Sequence, residues 1–486
     1  MRLQILCAVL AALALAGPAP AAFEWEAVEG LPDADDNRRP DRAHTPQQAA
    51  TPDVRLRMQV TGEACERGGP FTWTLDDRPL RVASDGRCAF VTGALTEGSY
   101  KLTLDANDGT SPTTREITLV EHLIVSIGDS VASGEGNPDE PADLHRARWL
   151  ERRCHRSLRS GPALAARAVE ASGTDSTVTF VPLGCSGATV DMGLLGTYDG
   201  IEPDRQHSLE RPQASVVSAL RGGREIDAVL VSVGANDVYF GKIVQFCASV
   251  PDCKNQRFDP RHPRRRGSDA DPTLDEAIST ALKRLETAYD ELNAALTKQI
   301  PRSRIIVVSY FDPTIGVTDP LAFCKVNLHI GSIQPSESEW AHERVLQRLN
   351  MLLAAKANAL GWTLVDGVAE AFAGHGICAR PRREVWVRTP AASFFKQDAR
   401  VAFASIAGTL HPNGPGHRAI SRSIGPELAA VLRTAVPKDP GRGNDGEDDN
   451  HWFGTRTTIV LILVVLVLVC GGVFWMLHRL RHRSTT

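Results

Sequence analysis

The pattern of apolar and polar positions changes character several times along the 486-residue chain. Between Val54 and Val120 apolar residues alternate with polar ones, at Leu56, Met58 and Val60, at Phe71, Trp73 and Leu75, and at Tyr100, Leu102 and Leu104. Ile117 and Leu119 end the series. Gly68-Gly69, Asp76-Asp77, Gly98 and Asp108-Gly109 punctuate it. A period of two puts one face of each strand in a core, so residues 51–120 are expected to form a small β-sandwich. Trp73 between Cys65 and Cys88 suggests an immunoglobulin-like core, which by itself says nothing about function.

From His122 the apolar runs become continuous, as in strands buried on both faces. They fall at Leu123–Ile127, Val178–Val181, Ala228–Val233, Ile305–Val308 and, more briefly, Thr363–Val365. Helical spacing intervenes at residues 162–170, 273–296 and 336–360. A last helix is expected from Gly414-Pro415 to Leu432, with the proline well placed near its start. Strand–helix alternation predicts an α/β domain with a mostly parallel sheet over residues 121–436. Pro251 to Asp271 is basic, proline-rich and unpatterned, and reads as a surface insertion.

The chain ends add a location. Arg2, the apolar stretch Leu3 to Ala16 and the small residues Ala19-Pro20-Ala21 predict a secretory signal peptide over residues 1–22. Residues 23–50, rich in Pro, Asp, Arg and Gln, read as a flexible leader. Ile459 to Leu477 is apolar throughout and predicts a transmembrane helix within residues 457–478, long enough for a hydrocarbon core of about 30 Å. An acidic linker, residues 437–456, precedes it and a basic tail, residues 479–486, follows. That asymmetry puts the tail in the cytoplasm and the N-terminal ectodomain on the periplasmic or extracellular side. The net charge of −4 gives no pull toward nucleic acid.

Of the ten cysteines, Cys7 and Cys470 fall in these terminal segments, leaving eight for an oxidising compartment. Proximity favours the disulfides Cys65–Cys88 and Cys247–Cys253. Cys154–Cys185 and Cys324–Cys378 follow only by elimination. The absence of CxxC pairs ranks zinc low, and no metal or cofactor is expected.

Candidate chemistry begins where the first buried strand ends, at Gly128-Asp129-Ser130. Ligand sites of open α/β sheets lie beyond the carboxyl ends of the strands, so a serine here is aimed at the site. A Walker loop is excluded, because no Gly-Lys-Ser/Thr occurs, and the Gly-x-Ser-x-Gly elbow is absent. Gly234-Ala235-Asn236-Asp237 and His411-Pro412-Asn413 follow in order. Together they supply a nucleophile, an amide donor and a base, the groups that ester hydrolysis through an acyl-enzyme needs.

These segments, with Gly187 in Cys185-Ser186-Gly187-Ala188-Thr189, resemble the four blocks of the SGNH, or GDSL, hydrolase superfamily. Gly134-Glu135-Gly136-Asn137 and Cys154-His155-Arg156-Ser157 resemble its secreted, disulfide-rich bacterial esterase and lipase branch. The resemblance covers roughly residues 122–435. It implies a flavodoxin-like three-layer α/β/α fold, esterase or lipase activity without a metal, and the Cys154–Cys185 disulfide. Residue by residue it makes Ser130 the nucleophile and His411 the base, with Gly187, Asn236 and the Ser130 N–H as the oxyanion hole. The superfamily commonly has an Asp three residues before the histidine, and here that position is Gly408. The departure implies a Ser–His dyad in which the Gly408 carbonyl orients the ring, the alternative being a distant acid such as Asp398. His417, Asp129 and Asp237 are assigned to packing and loop structure, Glu135 to a surface or loop-organising role, and His155 to a place beside a disulfide.

The expected substrate is a carboxylic ester, of a lipid or an acylated polysaccharide, with the membrane engaged through the C-terminal helix and a carbohydrate as candidate ligand of the β-module. Rival readings are a surface adhesion protein with a degenerate hydrolase domain, and an acyltransferase using the same residues.

Overall fold

The computed structural model describes residues 20–29, 45–46, 48–50, 54–142, 147–202, 209–220, 225–314, 335–397 and 407–435. Most of the expected signal peptide, the linker, the membrane span and the tail lie outside the described residues. Among the described residues no helix is long and apolar enough to cross a membrane.

The N-terminal part contributes eight strands: β1 (Ala22–Glu29), β2 (Val54–Thr61), β3 (Thr72–Leu75), β4 (Arg78–Pro79), β5 (Val82–Ser84), β6 (Ala89–Thr92), β7 (Gly98–Asp105) and β8 (Thr113–Gly128). They form two sheets, ordered β1-β2-β6-β5 and β8-β7-β3-β4. The alternating residues Leu56, Met58, Trp73, Leu102, Leu104 and Leu119 meet in one core between them. The flexible leader needs correcting at its start, since β1 pairs antiparallel with β2 along its whole length. Phe23 is fully buried against Trp73, ring edge to face with centroids 5.1 Å apart.

β8 joins this module to the rest of the chain without a linker. Its first part pairs antiparallel with β7, from Thr113 to Leu119. From Val120 it pairs in parallel with β9 (Ser176–Pro182), and from Ile124 also with β10 (Ala228–Ser232). The boundary expected at residue 120 thus falls inside one unbroken strand. Burial follows the change of neighbours, because Ile117 and Leu119 alternate with exposed or half-buried residues whereas Glu121 to Gly128 are all buried.

With β11 (Ile305–Val308) and β12 (Thr363–Val365), the parallel part runs β9-β8-β10-β11-β12. That is the flavodoxin-like order, which reverses direction between β8 and β10 and opens a crevice at their carboxyl ends. The helices used below are α1 (Ser130–Ser133), α2 (Gly161–Glu170), α3 (Gln213–Leu220), α4 (Phe240–Ser249), α5 (Leu274–Leu296), α6 (Gln347–Leu360), α7 (Pro390–Gln397) and α8 (Gly414–Ala435). Right-handed crossovers from this strand order place α2 and α8 on one face and α3, α5 and α6 on the other. Accordingly α2 packs on α8, and α5 on both α3 and α6. Thr273 starts α5 with a capping box, its hydroxyl accepting from the Glu276 N–H while the Glu276 carboxylate accepts from the Thr273 N–H. The expected helix over residues 336–360 is interrupted by a π turn at His342–Leu346. Residues 251–271 are more than a surface insertion, since Cys253 and Phe258 are fully buried in the core of the α/β domain.

Candidate active site

Ser130 heads α1 directly after β8, and register sets its neighbours. Gly128 lies opposite Ser232 on β10, so the loop carrying Asn236 emerges beside Ser130. Asp129 caps α1 by accepting from the Val131 N–H at 3.0 Å. The Tyr310 hydroxyl donates to its other oxygen at 2.5 Å, and burial pushes this carboxyl up to about 7. Asp129 therefore holds the turn and faces away from the reacting oxygen.

His411 lies three residues before the start of α8. Its Nε2 lies 2.7 Å from Ser130 Oγ, and its Nδ1 lies 3.2 Å from the Thr409 carbonyl oxygen. The Gly408 carbonyl, a candidate for orienting the ring, instead accepts the backbone N–H of His411 at 3.0 Å. Leu410 between them adopts φ 65°, a backbone conformation costing a leucine about 1–3 kcal/mol and held only where the surroundings demand it. Burial lowers the His411 pKa below its ordinary value, opposed by the Glu135 charge and the Thr409 carbonyl. The ring is thus neutral near pH 7, with Nδ1 protonated toward Thr409 and Nε2 free to accept from Ser130. Asp398 lies outside the described residues.

Gly187 and Asn236 come from the loops after β9 and β10, flanking Ser130. The Asn236 amide donates one hydrogen to the Ala188 carbonyl at 2.9 Å, which fixes its plane and leaves its second hydrogen for another acceptor. Gly187 has φ 88°, and a Cβ there would overlap the Tyr198 hydroxyl, so no other residue fits. Tyr198 in turn donates to the Ser186 carbonyl at 3.1 Å.

His155 lies beside the Cys154–Cys185 disulfide as expected, and Glu135 organises loops from a buried position, not from the surface. Glu135 is fully buried and accepts from His155 Nδ1 at 2.7 Å, from Ser186 Oγ at 2.6 Å and from Gln397 Nε2 at 2.5 Å. Burial alone would raise its pKa, but the His155 charge and hydrogen bond hold it down at about 2. Conversely, burial would lower His155, but Glu135 and then Glu202 raise it to about 10. His155 Nε2 contacts Glu202 at 3.0 Å, and its ring stacks on Trp149 with centroids 4.4 Å apart. The signal that could have exposed this cluster was the pairing of Gly134-Glu135-Gly136 with Cys154-His155, two motifs whose polar residues have no other evident work.

His417 is buried with both ring nitrogens bonded. Nδ1 accepts from the Gly161 N–H at 3.1 Å, tying α8 to α2, and Nε2 meets the Glu135 carbonyl at 3.2 Å. Burial pushes it down to about 4, so it stays neutral. Disulfides join Cys65 to Cys88, Cys154 to Cys185 and Cys247 to Cys253. Cys378 is also disulfide-bonded, while Cys324 lies outside the described residues. Cys185 precedes Ser186-Gly187, and the Ser186 N–H donates to the Cys154 carbonyl at 3.1 Å, so this disulfide clamps the turn beside Ser130.

A cavity of about 380 Å³ opens on Ser130, Asn236 and His411. A serine and a histidine in contact at the carboxyl edge of a doubly wound sheet, facing such a cavity, have the arrangement of a serine hydrolase. The chain belongs to the GDSL-like Lipase/Acylhydrolase family, whose model matches residues 126–419, and it is an SGNH-type carboxylic ester hydrolase. Solved structures similar to it include an extracellular lipase from Streptomyces rimosus, at 20% identity over 64% of this chain and 99% of that one, TM-score 0.40. Another is phospholipase A1 from Streptomyces albidoflavus NA297, at 19% identity over the same shares, TM-score 0.39. A third is Est24, a carbohydrate acetylesterase from Sinorhizobium meliloti, at 13% identity over 64% and 99%, TM-score 0.30. No curated protein matches the chain.

Proposed function

We propose that the protein is an exported, membrane-anchored serine esterase that cleaves carboxylic esters through a Ser130 acyl-enzyme. The observation that carries the mechanism is the 2.7 Å contact between Ser130 Oγ and His411 Nε2. As Oγ attacks the ester carbonyl, its proton passes to Nε2, and the carbonyl oxygen becomes an oxyanion. The Ser130 and Gly187 N–H groups and the free Asn236 N–H stabilise that oxygen. His411 then gives its proton to the departing alkoxide, leaving an acyl-serine and an alcohol. Water repeats the sequence, with His411 as base and then acid, and releases the carboxylic acid.

The base needs one fixed tautomer, and any acceptor at Nδ1 supplies it. The Thr409 carbonyl supports a Ser–His dyad, with no carboxylate among the described residues hydrogen-bonded to the ring. Anchoring is supported by the apolar run from Ile459 to Leu477 with basic residues after it, and export by the N-terminal signal pattern. The strand orders β1-β2-β6-β5 and β8-β7-β3-β4 support an immunoglobulin-type sandwich, for which an acylated glycan is the candidate ligand. An intact Ser130–His411 contact speaks against a degenerate adhesin. Hydrolysis of p-nitrophenyl esters by the full chain, abolished in Ser130→Ala, tests the reading. Added alcohol acceptors that divert the acyl group would reveal transfer.

A further inference from the structure

The cavity beside Ser130 is built for more than the reacting carbonyl. Ser130, Asn236 and His411 are occupied by the chemistry, the Thr409 carbonyl faces His411 while its hydroxyl is buried without a partner among the described residues, and the Tyr310 hydroxyl is turned away to Asp129. The wall beyond them includes Phe240, Val244, Phe311, Val345, Leu346 and Leu349, and among the described residues its polar ends come from Gln245 and Arg264. A sugar ring would leave its hydroxyls facing this wall without partners, each costing about 1–3 kcal/mol. An alkyl chain loses nothing there and gains about 0.8 kcal/mol for each methylene buried. An acetyl group would leave most of 380 Å³ unused.

The cavity also has a thin floor. A second, mostly apolar space of about 30 Å³ lies behind it, and Phe240, Val244, Val345 and Leu346 line both. Phe240 and Val244 lie one turn apart on α4, and Val345 and Leu346 close the π turn His342–Leu346. This partition is formed by side chains of two elements, α4 and the π turn.

We propose that the cavity is an acyl-chain pocket selecting medium-length aliphatic acyl esters, with the partition of α4 and the π turn setting the longest chain accepted. This rests on the esterase reading above and narrows its substrate class to esters with an aliphatic acyl group, leaving the alcohol side undetermined. Chain length is therefore read by volume. Each methylene that fits raises kcat/KM by roughly threefold to fourfold, until the chain reaches the partition.

The test is kcat/KM of the full chain on p-nitrophenyl acetate, butyrate, octanoate, decanoate and palmitate, for the unaltered protein, Val244→Trp and Leu346→Ala. The unaltered protein should peak at octanoate or decanoate. Val244→Trp, which fills the pocket, should lower the decanoate-to-acetate ratio tenfold or more. Leu346→Ala, which opens the floor, should move the peak toward longer chains. A peak at acetate, or a peak that neither variant moves, overturns the proposal while leaving the esterase reading in place. Decanoate binding to Ser130→Ala, measured by calorimetry, separates the two claims. Binding without hydrolysis of any ester by the unaltered protein would sink the esterase reading and keep the pocket, and absence of binding would overturn the pocket.

Discussion

Glu135 accepts a hydrogen bond from His155 at 2.7 Å, and both side chains are buried directly behind the Ser130–His411 pair. Through Ser186 the carboxylate steadies the turn that carries Gly187, and through Gln397 it reaches the loop that carries His411. One buried charge thus braces both sides of the site. Losing one partner of a buried ion pair costs about 3–5 kcal/mol, because the other is left unneutralised. Glu135→Gln is expected to lower Tm by several degrees and to reduce kcat more than KM, checked by calorimetry and steady-state kinetics.

The same pair gives stability a pH signature. Glu135 is held at about 2 and His155 at about 10, so the carboxylate's contribution is present above its ordinary value of 4.5 and lost as pH falls toward 2. The imidazolium's contribution is present below 6.5 and lost as pH rises toward 10. The stability gap between the unaltered protein and Glu135→Gln should therefore be widest between about pH 4.5 and 6.5, and shrink on both sides. Denaturant titrations across this range measure it, and a pH-independent gap would mean that the pair is not ionised.

His411 must be neutral to take the Ser130 proton, and burial lowers its pKa below 6.5. The acid limb of kcat/KM should accordingly have its midpoint below 6.5. Removing the Glu135 charge, which opposes that lowering, should move the midpoint further down in Glu135→Gln. A pH–rate profile of both proteins decides this, and a midpoint above 6.5 would contradict the burial argument.

Gly408 stands where the resemblance to the superfamily would place an acid, and the packing around it leaves little room for one. A Cβ at this position would overlap the side-chain oxygen of Gln397. Gly408→Asp should therefore fail to restore a triad, and should lose activity by roughly tenfold or more together with stability, as expected of a forced contact in a packed site. Activity equal to or above the parent would show that the loop has room for the acid.

Asn236→Ala should lower kcat by about 10²–10³ with little change in KM, the loss typical of one oxyanion donor. Its remaining hydrogen bond, to the Ala188 carbonyl, fastens two surface-proximal loops, so Tm should change little. Thermal unfolding beside kinetics separates the catalytic loss from a structural one.

Much of this was readable before any coordinates. Ser130 and Asn236 follow strand ends, so local pattern placed them at the crevice of a parallel sheet, whereas Gly187 and the role of each residue came with the resemblance to the SGNH superfamily. The β-sandwich was readable from alternation at Leu56, Met58, Trp73 and Leu102. β1 was missed because the proline- and charge-rich composition of the residues after it outweighed the alternation of Phe23, Trp25 and Ala27 with Glu24 and Glu26. The continuity of β8 was hidden by its own change of period, which reads as two elements although the backbone never turns. Burial of Glu135 against His155 joins residues 20 apart in sequence through three loops, and no local pattern encodes that. Whether Gly408 or Thr409 orients His411 depends on the φ of Leu410, which a side chain so rarely adopts that sequence gives no warning of it.

The most direct test of the central claim is the rate of p-nitrophenyl octanoate hydrolysis by the full chain and by Ser130→Ala. The account predicts clear turnover by the first and a loss of at least about 10³-fold in the second, with the variant's Tm unchanged. Equal rates in the two proteins, or turnover by neither when both are folded with their disulfides formed, would contradict it.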